Sequence, residues 1–270
     1  MLAPERFVQW LANNPKADKY GNIYNYHSRS DAHSIALCKM VMEDVLEHCA
    51  TMREQAAERK IVYGINYPYT WPSGKAKTLD LAVGLATPNG NEGGITLDQE
   101  EPVLPDLQFP LLSKIQRGEI VELFFSCEAK AVMTEHGKSK PRLYDELSSS
   151  HEIVHQGSPS AIAAGITTVN IATSFVSPLR NKQEGVHEIT KHNQPKVAAD
   201  MVRHLGRLPI RDKTGTVGFD AYCTFLVNLD NQTTPTSWTS QPAPQLGDAD
   251  HYETFLNRIV TLYTRRFTAI

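Results

Sequence analysis

The sequence feature that most constrains the fold is an apolar run near the middle of the chain that carries two opposite charges. Residues 119–133, EIVELFFSCEAKAVM, are dominated by apolar residues typical of strands buried inside a sheet. Alternation along a strand places Glu128 and Lys130 on one face, about 7 Å apart along the backbone. Charged side chains rarely occupy a buried strand without a pairing or functional role. The run therefore predicts a central strand with a shared polar site.

The segments around this run predict its neighbours. Residues 78–86, TLDLAVGLA, alternate as a strand, with Asp80 on the less apolar face. Residues 141–157 have helical spacing and end near a glycine, and residues 161–172 form another apolar run. A strand, a helix and a strand in this order predict a crossover unit with parallel strands.

Upstream, residues 31–60 predict one long amphipathic helix with Asp31 as its N-cap. Its apolar side is Ile35, Cys38, Val41, Met42, Val45 and Leu46. Residues 61–77 are rich in Tyr, Pro and Gly and predict a loop. Further along, we expect a helix around residues 196–205, a strand around 216–229 and a terminal helix from about residue 250. The fold class is therefore α/β, with a mixed central β-sheet flanked by helices.

Length and composition indicate a single domain. With 270 residues and 41% apolar side chains, the chain can bury one large core. Residues 87–118 are rich in Pro, Gly and acids and predict an excursion from the core, and residues 176–270 predict a C-terminal elaboration. The four cysteines form no CxxC pair, and no stretch reaches the roughly 18 apolar residues of a membrane span. We therefore expect an intracellular, cytoplasmic protein without a membrane anchor.

The net charge of the protein does not attract DNA, because 27 Lys and Arg and 30 Asp and Glu give a formal net charge of −3. Basic residues are nevertheless clustered at residues 136–142, at 203–213 and at Arg265–Arg266. Such clusters permit a local positive face.

Asp80 on one strand, then Glu128-Ala129-Lys130 on the next, followed by a helix, resembles the PD-(D/E)xK nuclease superfamily, whose best-populated branch is the type II restriction endonucleases. The resemblance covers roughly residues 35–175 and implies a restriction endonuclease-like core. A chain of this composition contains about one or two acid-x-lysine triplets by chance. The other triplet, Glu58-Arg59-Lys60, ends an amphipathic helix, whereas Glu128 and Lys130 lie in the order of elements that the superfamily shows.

The resemblance implies magnesium-dependent hydrolysis of phosphodiester bonds in double-stranded DNA. Mg²⁺ prefers oxygen ligands and keeps several waters, so two carboxylates suffice to hold it. Asp80, Glu128 and the backbone carbonyl of Ala129 would be the ligands, and Lys130 would orient or activate the attacking water. A palindromic target would favour a homodimer. The chain outside the core could supply base-reading loops, which favours sequence-specific cleavage.

The segment between the catalytic strand and its helix is the expected DNA contact. His136, Lys138, Lys140 and Arg142 place four potential cations within seven positions. We expect them to touch phosphates near the scissile bond.

Two alternatives concern the residues of the site. Pro105-Asp106 reproduces the literal proline-aspartate of the motif, but prolines surround it, so the alternating strand that bears Asp80 is preferred. His151-Glu152-Ile153-Val154-His155 is an HExxH segment and would suit a zinc metallopeptidase. Gly157-Ser158-Pro159 cuts that segment off, and only Glu184 or Glu188 could serve as a distant third ligand. A structure-specific repair nuclease and an inactive DNA-binding protein of the same fold remain open.

Overall fold

The computed structural model describes residues 1–70, 74, 76–87, 94–102, 104, 109–181, 183–185 and 187–270. Their helices are α1 (Ala3–Asn13), α2 (Ala32–His48), α3 (Ala50–Ala57), α4 (His136–Gly157), α5 (Lys196–Leu205) and α6 (Tyr252–Phe267). Their strands are β1 (Lys16–Ala17), β2 (Ile23–Tyr24), β3 (Ile61–Thr70), β4 (Ala76–Ala86), β5 (Ile120–Val132), β6 (Ile162–Asn170), β7 (Ser174–Val176), β8 (Ile189–Lys191), β9 (Ala221–Asn228) and β10 (Thr236–Trp238).

A six-stranded mixed sheet organises these elements in the order β10-β9-β6-β5-β4-β3. β3, β4 and β5 are antiparallel neighbours, whereas β5, β6 and β9 run parallel and β10 is antiparallel to β9. α4 connects β5 to β6, because parallel neighbours need a crossover. The predicted α/β class, the mixed sheet and the strand-helix-strand unit are confirmed. No helix among the described residues is long and apolar enough to cross a membrane.

Helices cover both faces of the sheet. α2 packs on β4 and β5 with α1 and α6 beside it, and α4 and α5 pack on the opposite face. The six apolar residues predicted on α2 are all buried, but so is every other residue from Ile35 to Leu46, so this part of α2 is a buried helix rather than an amphipathic one. The predicted long helix, however, is interrupted at Cys49, where the backbone is extended and α3 begins. Asp31 is at the N-cap position, but its side chain makes no capping bond and instead accepts one from Asn66.

The prediction of a loop before β4 was wrong, because residues 61–70 form β3 and pair with β4. Pro68 lies in that pairing opposite Thr78. Proline is tolerated there because β3 is the edge of the sheet, where an amide is not needed on the outer side.

β5 departs from simple alternation near its start. Val83 pairs with Phe125 but Gly84 pairs with Leu123, so Phe124 is an extra residue in a β-bulge. Phe125, Cys127 and Ala129 contact the cluster under α2, as the alternation predicts, whereas Leu123 packs on the α4 side. Beyond the bulge the alternation is regular, and Ser126 and Glu128 are buried.

Two peripheral segments are tied to the core. Residues 176–270, predicted as an elaboration, supply β9 to the interior of the sheet and α6 to the α2 side. The excursion predicted at residues 87–118 is held, where described, by the buried Lys39, which donates to the carbonyl oxygens of Asp98, Glu100 and Pro102. Cys38, Cys49, Cys127 and Cys223 are all free and buried.

Candidate active site

The register of β4 and β5 brings the two predicted carboxylates together. Their last paired positions are Leu81 and Cys127, and one step further along both strands are Asp80 and Glu128. Residues that face each other across antiparallel strands have Cβ atoms roughly 5 Å apart. Two acids separated by 48 positions in the sequence therefore occupy one site.

The backbone around Asp80 is irregular on both sides. On β5, the amide of Ala129 donates a 2.9 Å hydrogen bond to Oδ2 of Asp80 instead of continuing the ladder. On β3, Asn66 lies opposite Asp80 between two paired residues and has a φ of +49°. Local departures from regular backbone geometry are common at functional sites. Here the departure holds one Asp80 oxygen against β5.

Lys130 links both carboxylates. Its Nζ lies 2.6 Å from Oε1 of Glu128 and 3.8 Å from Oδ2 of Asp80. The side chain of Lys130 is 24% exposed, whereas that of Glu128 is 6% exposed. The site is therefore open to solvent mainly at the lysine.

Burial and mutual charge set the protonation of the site. Burial, with the adjacent Glu128 carboxylate, raises the pKa of Asp80 to about 6. Burial alone would lower the pKa of Lys130, but the charges of Glu128 and Asp80 raise it above its usual value. Lys130 therefore remains protonated near neutral pH and acts as a cation rather than as a proton acceptor.

Lys77 is a member of the site that the sequence analysis missed. Its Nζ lies 3.7 Å from Oε1 of Glu128 and donates to the backbone oxygen of Glu146 and the hydroxyls of Ser149 and Ser150 on α4. Burial lowers the pKa of Lys77, against the opposing effect of Glu128. The sequence does show this second lysine three residues before Asp80, but the strand predicted at residues 78–86 begins after it.

The residues present fit a hard divalent cation. Oε2 of Glu128 is buried without a hydrogen-bond partner among the described residues. Such an unpaired oxygen is costly unless a ligand satisfies it. Asp80 and Glu128 are the side chains that would hold Mg²⁺, with Ala129 expected to add its carbonyl. No group of three His, Cys, Asp or Glu side chains in the described part of the chain is arranged to hold a metal, so waters would complete the coordination.

The expected DNA-contact residues lie on α4 rather than in a loop, because this helix begins at His136. Lys138 and Arg142 have exposed side chains and pair with Glu135 at 3.1 Å and Glu146 at 3.4 Å. Lys140 is half-buried. His136 is 3% exposed and donates to the carbonyl of Asn170 at 2.8 Å, so its prediction as a surface contact was wrong. The helix extends five residues N-terminally beyond Pro141, and its N-cap residue Glu135 has a left-handed backbone conformation.

The two alternatives for the site were Asp106 as the metal-binding aspartate and a zinc centre in the HExxH segment. Asp106 lies outside the described residues. In the HExxH segment, His155 donates to the buried carboxylate of Asp220 at 3.0 Å, and His151 is 1% exposed with no partner for either ring nitrogen in the described part. Glu152 is exposed. The two histidines have no third ligand among the described residues, so no zinc centre is assembled there.

Comparison with known proteins gives no relative. No family model, curated protein or solved structure matches the chain.

Proposed function

We propose that this protein is a Mg²⁺-dependent endodeoxyribonuclease of the PD-(D/E)xK type that hydrolyses phosphodiester bonds in double-stranded DNA. The observation that carries the proposal is the convergence of Asp80, Glu128 and Lys130 on neighbouring strands β4 and β5. Two acids and a lysine on a sheet, followed by a crossover helix, are the arrangement that the resemblance implies.

The chemistry follows from the charges of these groups. Bound Mg²⁺ polarises a phosphoryl oxygen and lowers the pKa of its water. Asp80 and Glu128 supply the negative charge that offsets a divalent cation. Lys130, which is protonated, donates hydrogen bonds to a water or phosphate oxygen and stabilises negative charge as it develops. Lys77, held by α4, keeps a second positive charge beside Glu128 when Lys130 engages the substrate.

DNA would approach the open end of the site. The solvent-exposed part of Lys130 and the exposed cations Lys138 and Arg142 belong to β5 and the N-terminal turns of α4. A helix N-terminus adds partial positive charge for phosphate. These local charges offset the net charge of −3. Sequence-specific cleavage by a homodimer remains part of the proposal, because a two-fold partner would place a second site on the opposite strand.

The direct test is cleavage of supercoiled plasmid DNA of mixed sequence. We expect Mg²⁺-dependent conversion to linear DNA or to discrete fragments, and complete loss of cleavage in EDTA. Cleavage that persists in EDTA would remove the metal from the proposal. If several plasmids are not cleaved with Mg²⁺ or Mn²⁺, the nuclease proposal fails. A gel-shift measurement would then show whether the protein binds DNA without catalysis.

A further inference from the structure

A narrow cleft adjoins the candidate active site just beyond the last paired residues of β4 and β5. Its volume is about 190 Å³, below the roughly 300 Å³ at which small-molecule pockets begin, so it suits a single group rather than a whole nucleotide. Ala129 and Lys130 of the site line it, together with Arg142 of α4 and several residues with hydroxyl groups. None of the described residues that line it is acidic. This composition favours an anion.

Both cations of the cleft have donors left for a ligand. Nζ of Lys130 carries three protons and lies near one oxygen of each carboxylate in the site, so at least one proton remains. Arg142 is paired only through its Nε, which lies 3.4 Å from Glu146, and its side chain is 80% exposed. Its two terminal guanidinium nitrogens bond to no described residue. Arg142 can therefore turn these nitrogens toward an anion in the cleft.

Tyr26 adds a neutral donor to the cleft that it lines. Its hydroxyl bonds to no described residue and keeps accessible surface, whereas the unpartnered hydroxyl of Tyr24 is sealed from solvent. Burial raises the pKa of Tyr26 to about 12, against the opposing effect of the nearby Lys130 charge. The phenol is therefore protonated near neutral pH, close to Lys130 and able to donate.

Two further donors come from Ser30 and from the backbone of β5, and both residues line the cleft. Oγ of Ser30 accepts from the amide of Ala32 at 3.3 Å, which leaves its own proton free. The amide of Ala129 points to the β4 side of β5, because it bonds to Asp80, and alternation along the strand points the amide of Ala131 the same way. β4 no longer pairs with β5 at that position, so the amide of Ala131 faces the gap between the strands.

The segment that carries Tyr26 is held firmly in place. The buried side chain of Asn231 accepts from the backbone amide of Tyr26 and donates to its carbonyl, both at 2.9 Å. The ring of Tyr26 stacks on His33 with a centroid distance of 4.4 Å. Further along, Asp31 accepts a 3.1 Å hydrogen bond from Asn66 of β3. Donors that are fixed before binding lose less entropy when a ligand binds.

We propose that this cleft binds the phosphate of the DNA strand that neighbours the scissile phosphate. The carboxylates that would hold the metal do not line the cleft, so the scissile phosphate lies outside it, whereas Lys130 belongs to both places. Tyr26, Ser30 and the amide of Ala131 donate to the phosphate oxygens, and Lys130 and Arg142 offset its charge. The assignment to a substrate phosphate rests on the proposed nuclease function, but the affinity of the cleft for phosphate does not.

The first test is an NMR titration of the full chain with inorganic phosphate in EDTA, compared with sodium chloride at equal ionic strength. We expect phosphate, but not chloride, to shift the amide signals of Ser30 and Ala131 in a saturable way. Tyr26→Phe should keep the melting temperature, because its hydroxyl has no partner to lose, and weaken phosphate binding roughly two- to tenfold. Tyr144→Phe is the matched control, since its hydroxyl bonds at 3.4 Å to the carbonyl of Arg207 outside the cleft, and it should bind phosphate as the wild type does. The absence of saturable shifts, or equal affinity in Tyr26→Phe and the wild type, would overturn the proposal.

The second test measures DNA affinity by gel shift in Ca²⁺ over a range of salt concentrations. Tyr26→Phe should weaken binding roughly two- to tenfold at every salt concentration without changing the slope, because it removes a hydrogen bond but no cation. Arg142→Gln should make the slope shallower by about one unit. Unchanged DNA affinity in Tyr26→Phe would overturn the assignment of the cleft to a substrate phosphate. The plasmid assay is independent: phosphate binding without plasmid cleavage removes the nuclease function, and cleavage without phosphate binding removes only the cleft.

Discussion

The backbone amide of Ala129 donates a 2.9 Å hydrogen bond to the carboxylate of Asp80. The bond joins β4 to β5 just beyond their last paired residues and orients Asp80 toward the two charged neighbours of Ala129 on β5. Glu128 and Lys130 are those neighbours, so one backbone contact assembles the site. An amide oxygen would accept the same bond, which makes Asp80→Asn a substitution that removes charge while it retains the link.

The first prediction concerns Lys130. Lys130→Ala should reduce the single-turnover cleavage rate by at least about 100-fold, because a charge that stabilises the developing oxyanion is lost. DNA affinity, measured by gel shift in Ca²⁺, should change little, since Lys138, Lys140 and the other proposed contacts to the DNA backbone are retained. The matched control is Lys60→Ala, because Lys60 ends the other acid-x-lysine triplet and forms an exposed pair with Glu58 at 3.1 Å. Equal activity of the two variants would refute the site.

The second prediction concerns the metal. Mg²⁺ or Ca²⁺ should raise the melting temperature of the wild-type protein, since a ligand at about 100 times its Kd stabilises by ~2.7 kcal/mol. Asp80→Asn should fold normally but lose most of this shift, because one of the two carboxylates is neutral. Ca²⁺ should support DNA binding without efficient cleavage, because its looser coordination positions water poorly. An identical metal-induced shift in both proteins would show that the cation binds elsewhere.

The third prediction concerns the start of α4. Replacing Lys138 and Lys140 together by Ala should weaken DNA binding at every sequence and make the salt dependence shallower by up to about two units. The comparison is log Kd against log salt concentration for both proteins. His136→Gln should not alter this slope, because His136 is buried against Asn170. An unchanged slope in the double variant would direct the search to residues 203–213.

The fourth prediction concerns acid stability. Burial, with the positive charges of His155 and Arg211, lowers the pKa of His151 from 6.5 to about 4. As the pH falls below about 6.5, His151 takes up a proton in the unfolded chain but not in the folded chain. Its contribution to stability is therefore fully present above about pH 6.5, and the free energy of unfolding falls by about 3 kcal/mol toward pH 4. His151→Phe should make this loss shallower in urea unfolding between pH 7 and pH 4.5. The remaining loss comes partly from His33, whose pKa is also about 4.

The control for the acid prediction is His187→Gln, since His187 is exposed. It should reproduce the wild-type pH dependence. Plasmid cleavage by His151→Phe should match the wild type near pH 7.5, because the HExxH histidines do not belong to the proposed nuclease site. Loss of cleavage with intact folding would instead return that segment to consideration.

Local periodicity was sufficient for the elements that form the site. The two-residue alternation of β4 and β5, the helical spacing of α4 and the apolar run of β6 each indicate the type of element, so the order and type of these elements were predictable. β3 was missed because Gly64, Asn66 and Pro68 resemble a loop, and only its edge position makes them acceptable in a strand. The N-terminal extent of α4 was missed because no typical capping residue precedes it. Its N-cap is Glu135, whose backbone is left-handed and whose side chain makes no capping bond.

The sequence by itself determined the α/β class, the central strand and the face shared by Glu128 and Lys130, because neighbours along a strand obey a fixed geometry. Only the tertiary structure decided that Asp80 faces Glu128, that Lys77 joins them and that His136 is internal. It also gathered Tyr26, Lys130 and Arg142 around one cleft. These relationships depend on strand register and on packing between distant segments, and each is set by the burial of the whole core rather than by any local pattern.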